Sequence, residues 1–312
     1  SDVLLSEVEP LLDTLVLTSL NDSFTAQATR TTQLGDAQQR WVIAAQEQGL
    51  LIENAAGYLQ VSDAPEVGTQ QLWELLVREY PAAFVLTHAV GRFSLHLGEW
   101  LNQTGSLPEL NEQLWSDIYR TRYDAARLTR LQNHLAEALT EQLKHLQPEQ
   151  RLCLAEITAG EMLFTPALAA AIQGRNAELS FVSASAAATN EARTQLQGHI
   201  ELQALHWTEK TLPVELGMLD LAIVHLDFMQ PAQVLELLQQ LRSQLRVGAQ
   251  LLLLGQPHAL WLQQLHAGQS HLLEQEEHVQ PSSEYWQQQL SILGFTVNDL
   301  LEDNLLPSSA FL

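Results

Sequence analysis

Positively charged residues are scarce in this sequence of 312 residues. Lysine and arginine together number 15 against 37 aspartates and glutamates, which gives a formal net charge of −22 at pH 7, and the only lysines are Lys144 and Lys210. Proteins that bind nucleic-acid phosphates or anionic lipids need clustered positive charge. The composition therefore predicts neither a nucleic-acid partner nor a membrane partner.

Cysteine and long apolar runs are almost absent as well. A single cysteine, Cys153, excludes a disulfide within the chain and is typical of a reducing compartment, so we expect a cytoplasmic protein with a core thiol here. Apolar runs such as Leu251–Leu254 are far shorter than a membrane span, and no stretch resembles a signal peptide. With 46% hydrophobic residues the chain can still build a sizeable core, and its length indicates two domains.

The first 147 residues predict a helical lid subdomain. Apolar residues recur at helical spacing over about 4–17, 36–48, 69–80, 82–102 and 114–146. After the second helix, LLIENAAGYLQV alternates as two short strands around a turn, and this order is typical of a winged-helix module. Its helix, AQQRWVIAAQEQ, carries one arginine and no lysine, which argues against DNA binding.

Residues 148–312 predict a Rossmann-like α/β core. Pro148 ends the long helix, and short apolar strands then alternate with helices, a pattern that favours a mostly parallel sheet covered on both faces. The predicted strands are Leu152–Ile157, Glu178–Ser183, Ile200–Ala204, Leu219–His225 and Ala249–Leu254. The predicted helices are Pro166–Gln173, Ala187–Leu196, Ala232–Leu245, Leu262–His266 and Ser282–Ile292, and a final pair of strands follows.

The stretch RLCLAEITAGEMLFTP, residues 151–166, has the outline of a nucleotide-binding strand, turn and helix. Such a turn needs several glycines because the backbone must bend tightly and approach the ligand closely. Only Gly160 is present, and Thr158 and Met162 stand where the first and third glycines would be. We expect both of their side chains to project toward the place of a bound nucleoside.

With these segments in order, the chain resembles the C-methyltransferase domain of modular polyketide synthases. The supporting segments are WVIAAQEQGLLIENAAGYLQV, IYRTRYDAARLTRLQNHLAEAL, RLCLAEITAG, LDLAIVHLDFMQP, LRVGAQLLLLGQP and YWQQQLSILGFTV. The resemblance covers nearly the full length and implies a class I S-adenosylmethionine (SAM) methyltransferase fold with a seven-stranded sheet. It also implies a substrate tethered to an acyl carrier protein.

The family's functional positions carry other residues in this chain. Thr158, Gly160 and Met162 occupy its glycine-rich SAM turn, Ser183 replaces the acid that binds the ribose hydroxyls, and His206 replaces the aspartate beside the adenine. A serine offers a weaker hydrogen bond than a carboxylate that accepts from two hydroxyls. The resemblance therefore predicts these as degenerate SAM positions with no cofactor bound.

The family's catalytic His and Glu fall at Met229 and Gly255. In the family these two residues form the base that takes the α-proton of a β-ketoacyl thioester, and neither Met nor Gly can accept a proton. A shift of the alignment leaves Asp227 or His225 as an alternative base. Strand alternation also allows His225 to be a core or capping histidine.

Other chemistry finds little support in the sequence. His258, His266, His271 and His278 form the densest histidine group but lack the paired helical spacing of a zinc site, so no metal is predicted. No G-x-S-x-G elbow is present, which argues against acyl transfer by a serine nucleophile.

These observations predict a non-catalytic pseudo-C-methyltransferase domain of a polyketide synthase, a structural or docking element without a cofactor. The alternative is a divergent SAM-dependent C-methyltransferase that acts on a β-ketoacyl chain bound to an acyl carrier protein. A third reading is an interaction module whose acidic face recruits an arginine-rich partner.

The expected partners are neighbouring domains of the same synthase and an acyl carrier protein. Arginines on the predicted lid helix are the candidate carrier-docking residues, and a solvated helix face is the other explanation for them. They are Arg120, Arg122, Arg127 and Arg130.

Overall fold

A computed structural model provides the coordinates and describes most of the chain. The described residues are 3–47, 49–123, 125–144, 149–199, 201–208, 211–226, 229, 231–255, 259–267, 283–296, 299–301 and 309–311. No helix among these residues is both long enough and apolar enough to cross a membrane.

Helices and strands are numbered along the chain. The helices are α1 (Glu9–Ala26), α2 (Asp36–Glu47), α3 (Thr69–Glu79), α4 (Phe84–Leu101), α5 (Glu112–Arg122), α6 (Ala125–Leu143), α7 (Thr165–Ala171), α8 (Ala186–Gln195), α9 (Pro231–Gln244), α10 (Leu260–Ala267) and α11 (Ser283–Ile292). The strands are β1 (Leu51–Glu53), β2 (Leu59–Val61), β3 (Leu152–Thr158), β4 (Ala177–Ser183), β5 (Leu202–His206), β6 (Leu219–His225), β7 (Leu245–Leu254), β8 (Asp299–Leu301) and β9 (Ser309–Phe311).

The chain forms two compact units, which differ from the division predicted at residue 147. One is Ser1–Tyr123 with His258–Val279, and the other is Asp124–Pro257 with Gln280–Leu312. The predicted single helix over 114–146 is two helices, since α5 ends at Arg122 and the next residue, Tyr123, has φ −88° and ψ 68°, outside the helical region. Helix α6 belongs to the second unit because it packs on α7, where the Gln132 side-chain amide donates to the Leu163 carbonyl at 2.6 Å.

The first unit, here the helical unit, contains α1 to α5, α10 and the β1–β2 hairpin. The hairpin is antiparallel, as predicted, with Leu51 opposite Val61. Helix α1 packs on α3 and α4, and the centre of this unit is apolar. Its fully buried side chains include Leu12, Leu76, Leu86 and Phe93.

The second unit, here the sheet unit, contains a sheet in the order β5-β4-β3-β6-β7-β9-β8. Strands β5, β4, β3, β6 and β7 run parallel, and the short β8 and β9 are antiparallel. The mostly parallel α/β fold is therefore confirmed. The order reverses between β3 and β6, and in open parallel sheets ligands bind at the carboxyl ends of the strands at this switch point.

Candidate functional site

The carboxyl edge of the sheet brings together most of the positions singled out in the sequence. Thr158 ends β3, Ser183 ends β4, His206 ends β5 and His225 ends β6. Thr158 lies directly opposite Ser183, and Ser183 lies opposite His206, in the parallel register. This register places the end of β4 beside the turn that follows β3.

The turn after β3 is held by the two hydroxyls that the sequence places at cofactor positions. The Thr158 hydroxyl accepts a hydrogen bond from the Gly160 amide at 2.9 Å, and the Ser183 hydroxyl donates to the Gly160 carbonyl at 2.7 Å. Ser183 also accepts from the Ser185 amide at 3.1 Å. Thr158 and Ser183 are both fully buried, so their polar atoms bind the chain itself and are not presented to solvent.

The Met162 side chain is partly buried. Its side chain packs against a small apolar cluster formed by Phe181, Ala192, Leu196 and Ala204. The expectation that Thr158 and Met162 both project toward a bound nucleoside stays a prediction. The threonine hydroxyl gains a backbone partner and the methionine gains apolar contacts, and both gains favour the inward positions.

His206 and Cys153 have lesser roles at the site. His206 is exposed at the end of the edge-side strand β5. Cys153 is half-buried near the start of β3, and its amide donates to the Asp220 carboxylate at 2.8 Å. Its thiol therefore lies at the opposite end of β3 from the turn.

Glu156 is the residue whose role the sequence analysis missed. Its carboxylate is fully buried and accepts hydrogen bonds from the amides of Leu163, Phe164 and Thr165 and from the Thr165 hydroxyl, at 2.6 to 3.1 Å. These amides lie at the start of α7, on the two residues before the helix and on its first residue, where amides have no helical partners. The carboxylate from β3 thus caps the helix that follows it. The Thr-Pro pair at 165–166 was the sequence signal for this helix start.

His225 lies beside this carboxylate. Its Nε2 lies 3.2 Å from Oε1 of Glu156, and the histidine is 1% exposed. Nε2 makes no well-aligned hydrogen bond among the described residues. The Phe164 ring lies 5.0 Å from the imidazole. His225 is therefore the core histidine that strand alternation allowed.

The charge of Glu156 follows from these contacts. Burial raises its pKa, but the close contact with His225, the Thr165 hydroxyl and the Leu163 amide outweigh burial and hold the pKa below the ordinary value of 4.5. A carboxylate with its oxygens already occupied and a lowered pKa is a poor proton acceptor. Asp227, the other alternative base, lies outside the described residues.

The two positions that correspond to the catalytic pair are apolar in this structure. Met229 is 2% exposed and belongs to the main core cluster of the sheet unit, together with Leu226 and Val224. Gly255 directly follows β7, and a Cβ atom placed on it would lie 3.0 Å from Cδ1 of Leu226. Any larger residue at position 255 therefore requires Leu226 to move.

The four arginines do not form one surface. Arg120 is exposed on α5 and forms an ion pair with Asp117 at 3.4 Å, and Arg130 is exposed on α6. Arg122 is fully buried, with its Nε 2.8 Å from Glu9 and its guanidinium 5.6 Å from the Trp261 ring, so it is unavailable for docking a carrier. Arg127 lies on α6, and its side chain is outside the described residues.

The histidine group falls mostly outside the described part of the chain. His258, His271 and His278 are not described, and His266 is described only as part of α10. Among the described residues no group of His, Cys, Asp and Glu is arranged to hold a metal ion.

No protein-family model matches this chain, and no curated protein matches it. The fold is that of class I SAM-dependent methyltransferases, as two solved structures show. The citrinin polyketide synthase CMeT domain is 14% identical, covers 99% of this chain and 90% of its own length, and has a TM-score of 0.72. The CurJ carbon methyltransferase is 18% identical, with 100% and 93% coverage and a TM-score of 0.71.

Proposed function

We propose that this chain is a pseudo-C-methyltransferase domain of a polyketide synthase, a structural and docking element that neither binds SAM nor transfers a methyl group. The fold that it shares with two carbon methyltransferases over nearly its whole length supports the family assignment. The proposed loss of activity depends on the residues at the carboxyl edge of the sheet.

One observation carries the proposal: the polar groups at the cofactor positions are used to close the turn. Thr158 and Ser183 bind opposite ends of Gly160, and both are fully buried. A ribose would have to replace these internal hydrogen bonds, and Ser183 could offer one neutral hydroxyl where a carboxylate accepts two bonds. The exchange would therefore gain little free energy.

The proton-transfer positions support the same conclusion. Met229 and the surroundings of Gly255 are apolar, and the buried Glu156 carboxylate is engaged in capping α7 and in its contact with His225. Deprotonation of a β-ketoacyl thioester needs a base within hydrogen-bond reach of the substrate. At these positions the described residues contribute apolar packing where such a base would be needed.

Calorimetric titration of SAM and S-adenosylhomocysteine into the chain tests the proposal. We expect no heat above dilution at ligand concentrations up to about 1 mM, which corresponds to less than about 4 kcal/mol of binding free energy. The CurJ carbon methyltransferase serves as the positive control. Micromolar binding of either ligand by this chain would contradict the proposal.

The remaining outcome is a divergent methyltransferase, and mass spectrometry identifies it. The chain is incubated with SAM and an acyl carrier protein loaded with a β-ketoacyl group, and the carrier is weighed. An added methylene on the acyl chain would establish catalysis, whereas an unchanged carrier is the expected result.

The docking role can be tested separately from the lost chemistry. Arg120 and Arg130 are the exposed members of the arginine set, and charge reversal at both should weaken association with an acidic carrier or neighbouring domain. Lys144→Glu is the matched control, since Lys144 is exposed and pairs locally with Glu141. Equal binding by all three proteins would assign these arginines to a solvated helix face.

A further inference from the structure

The helical unit contains a cavity that is separate from the edge of the sheet. It measures about 560 Å³ and lies between α1, α3 and α4. This volume falls within the range of small-molecule sites in proteins, which is roughly 300–1,000 Å³. Its wall is mainly apolar and includes Leu15 and the Trp73 ring.

Two glycines of α4 explain why the cavity is bounded. At Gly91 a Cβ atom would overlap the ring of Trp73, and at Gly98 it would overlap the side chain of Ser23. α4 therefore meets α3 closely at one glycine and α1 closely at the other. Ser94 and Leu95 occupy the turn between these two contacts and line the space that remains there.

Two buried serine hydroxyls beside the cavity have no partner among the described residues. Ser94 is 5% exposed and Ser19 is 9% exposed, and both line the cavity. Neither hydroxyl forms a hydrogen bond with any residue that the structure describes. A buried hydroxyl without a partner costs about 1–3 kcal/mol, so a polar group that reached either serine from the cavity after a side-chain rotation would gain a hydrogen bond.

The rim of the cavity is acidic. Asp22 and Glu99 are exposed lining residues, and the cavity lining contains no lysine or arginine. Asp22 accepts one hydrogen bond from the Thr69 hydroxyl at 2.6 Å, which leaves its other lone pairs available. Leu95, one helical turn before Glu99, is 73% exposed beside the cavity. The rim therefore favours a cation and opposes an anion.

We propose that this cavity binds a small organic ammonium compound with an aromatic or branched aliphatic body. The body occupies the apolar wall beside Trp73, where a cation can also contact the face of the indole ring. The Ser19 and Ser94 hydroxyls bind the polar part of the ligand, and Asp22 and Glu99 provide the opposite charge. The site is independent of the proposed loss of SAM binding.

Three probes of similar size and different charge test the ligand class in the full chain: 2-phenylethylammonium, 2-phenylethanol and 3-phenylpropionate. Each fills only part of the cavity, so we expect the ammonium probe to bind with a Kd between about 0.1 and 1 mM. The neutral probe should bind several-fold more weakly and the anion at least about tenfold more weakly. Saturation-transfer NMR and calorimetry measure the three affinities.

Variants locate the binding in this cavity. Leu95→Trp obstructs the mouth from an exposed position and should lower the ammonium affinity by about tenfold or more, whereas Val247→Trp, at an exposed position of the sheet unit, should leave it unchanged. The pair Ser19→Ala and Ser94→Ala removes the hydroxyls at nearly constant size and should lower the affinity by about five- to tenfold.

A second charge test keeps the result interpretable if the tryptophan variant does not fold. Glu99→Gln changes an exposed residue and should reduce the preference for the ammonium probe over the alcohol. Absence of binding by the ammonium probe, equal binding of all three probes, or binding that none of the cavity variants changes would overturn the proposal.

Discussion

Two carboxyl groups, one in each unit, have pKa values that are shifted in opposite directions. Glu156 in the sheet unit is fully buried, yet its pKa is lowered because His225, Thr165 and the amides at the start of α7 surround it. For Asp13 in the helical unit, burial is the largest effect and raises the pKa to about 6, and Glu9 adds to the rise. The Trp261 amide donates to Asp13 at 2.8 Å but compensates only in part.

The comparison shows that the groups around a carboxylate, here His225 first and then the donors at the start of α7, decide more than depth of burial whether it stays ionised. Glu156 has several donors supplied by one helix start, a local structure that concentrates unpaired amides. Asp13 has few, and a second acid lies close to it. Protonation of Glu156 should therefore destabilise the folded protein, whereas protonation of Asp13 should stabilise it.

The largest expected effect is the loss of the Glu156 carboxylate. Glu156→Ala leaves three amides and the Thr165 hydroxyl without their partner and leaves His225 without its counter-ion, so we expect a loss of about 3–5 kcal/mol in the free energy of unfolding. Urea denaturation followed by circular dichroism measures it. Glu178→Ala, which breaks an exposed pair with Arg151, should cost less than about 1 kcal/mol.

Acid titration tests the contribution of Glu156 to stability without a mutation. Because the folded pKa of Glu156 is below its ordinary value of 4.5, its contribution is present above that pH and is lost as the pH falls through the folded pKa. A sheet unit that tolerates Glu156→Ala with a change below about 1 kcal/mol would contradict the capping role.

The next effect concerns Asp13 and has the opposite sign. Its folded pKa of about 6 exceeds the ordinary 3.8, so the folded state binds the proton more tightly and the helical unit should gain stability as the pH falls from 7 toward 4. Asp13→Asn removes the charge but can still accept from Trp261, and we expect it to stabilise the protein at pH 7.5 by up to about 3 kcal/mol.

Thermal unfolding of the wild type and of Asp13→Asn across this pH range checks the assignment. The difference between the two proteins should shrink toward low pH, where Asp13 is protonated in the folded wild type. Parallel pH profiles would exclude Asp13 as the titrating group.

A third carboxylate can be introduced at position 255, where the neighbouring side chain is the apolar Leu226. Gly255→Glu restores an acid at the position where the resemblance to C-methyltransferase domains predicts a catalytic glutamate. The new Cβ atom would press on Leu226. We expect a loss of about 1–3 kcal/mol, with part of it recovered when Leu226→Ala is added. A double-mutant cycle in urea measures the recovery, and additive losses would show that Leu226 is not the obstacle.

The smallest effect is expected at the turn after β3. Ser183→Ala removes the hydrogen bond to the Gly160 carbonyl and should cost about 1–2 kcal/mol because the site is fully buried. Ser243→Ala, which removes an exposed hydroxyl bonded to the Gln240 carbonyl, should change stability by less than about 0.5 kcal/mol. Equal effects at the two serines would contradict a structural role for Ser183.

Most of the sheet unit could be predicted from the sequence because its strands are short apolar runs between clear helices. Strand β6 was predicted with its observed bounds, and β3 and β4 differ from prediction by one residue at one end. The break at Tyr123 could not be predicted, since apolar residues continue at helical spacing on both sides of it. For the same reason, the sequence did not predict that α6 belongs to the sheet unit.

The site was only partly predictable, because it depends on distant parts of the chain. The exchanged residues Thr158 and Ser183 could be read directly, but their common attachment to Gly160 requires the register between β3 and β4. The burial of Arg122 depends on Glu9, which lies 113 residues earlier. Likewise, the periodicity around Glu156 gave no sign that its carboxylate caps α7.

The attachment of Gly160 at both ends has an evolutionary consequence. A substitution that releases its amide from Thr158 leaves its carbonyl bound to Ser183, and the reverse holds for the other residue. Neither change alone frees the peptide, and each sacrifices a buried hydrogen bond. Any route by single substitutions to a different turn at this edge therefore passes through a less stable protein, which slows evolutionary change of this loop.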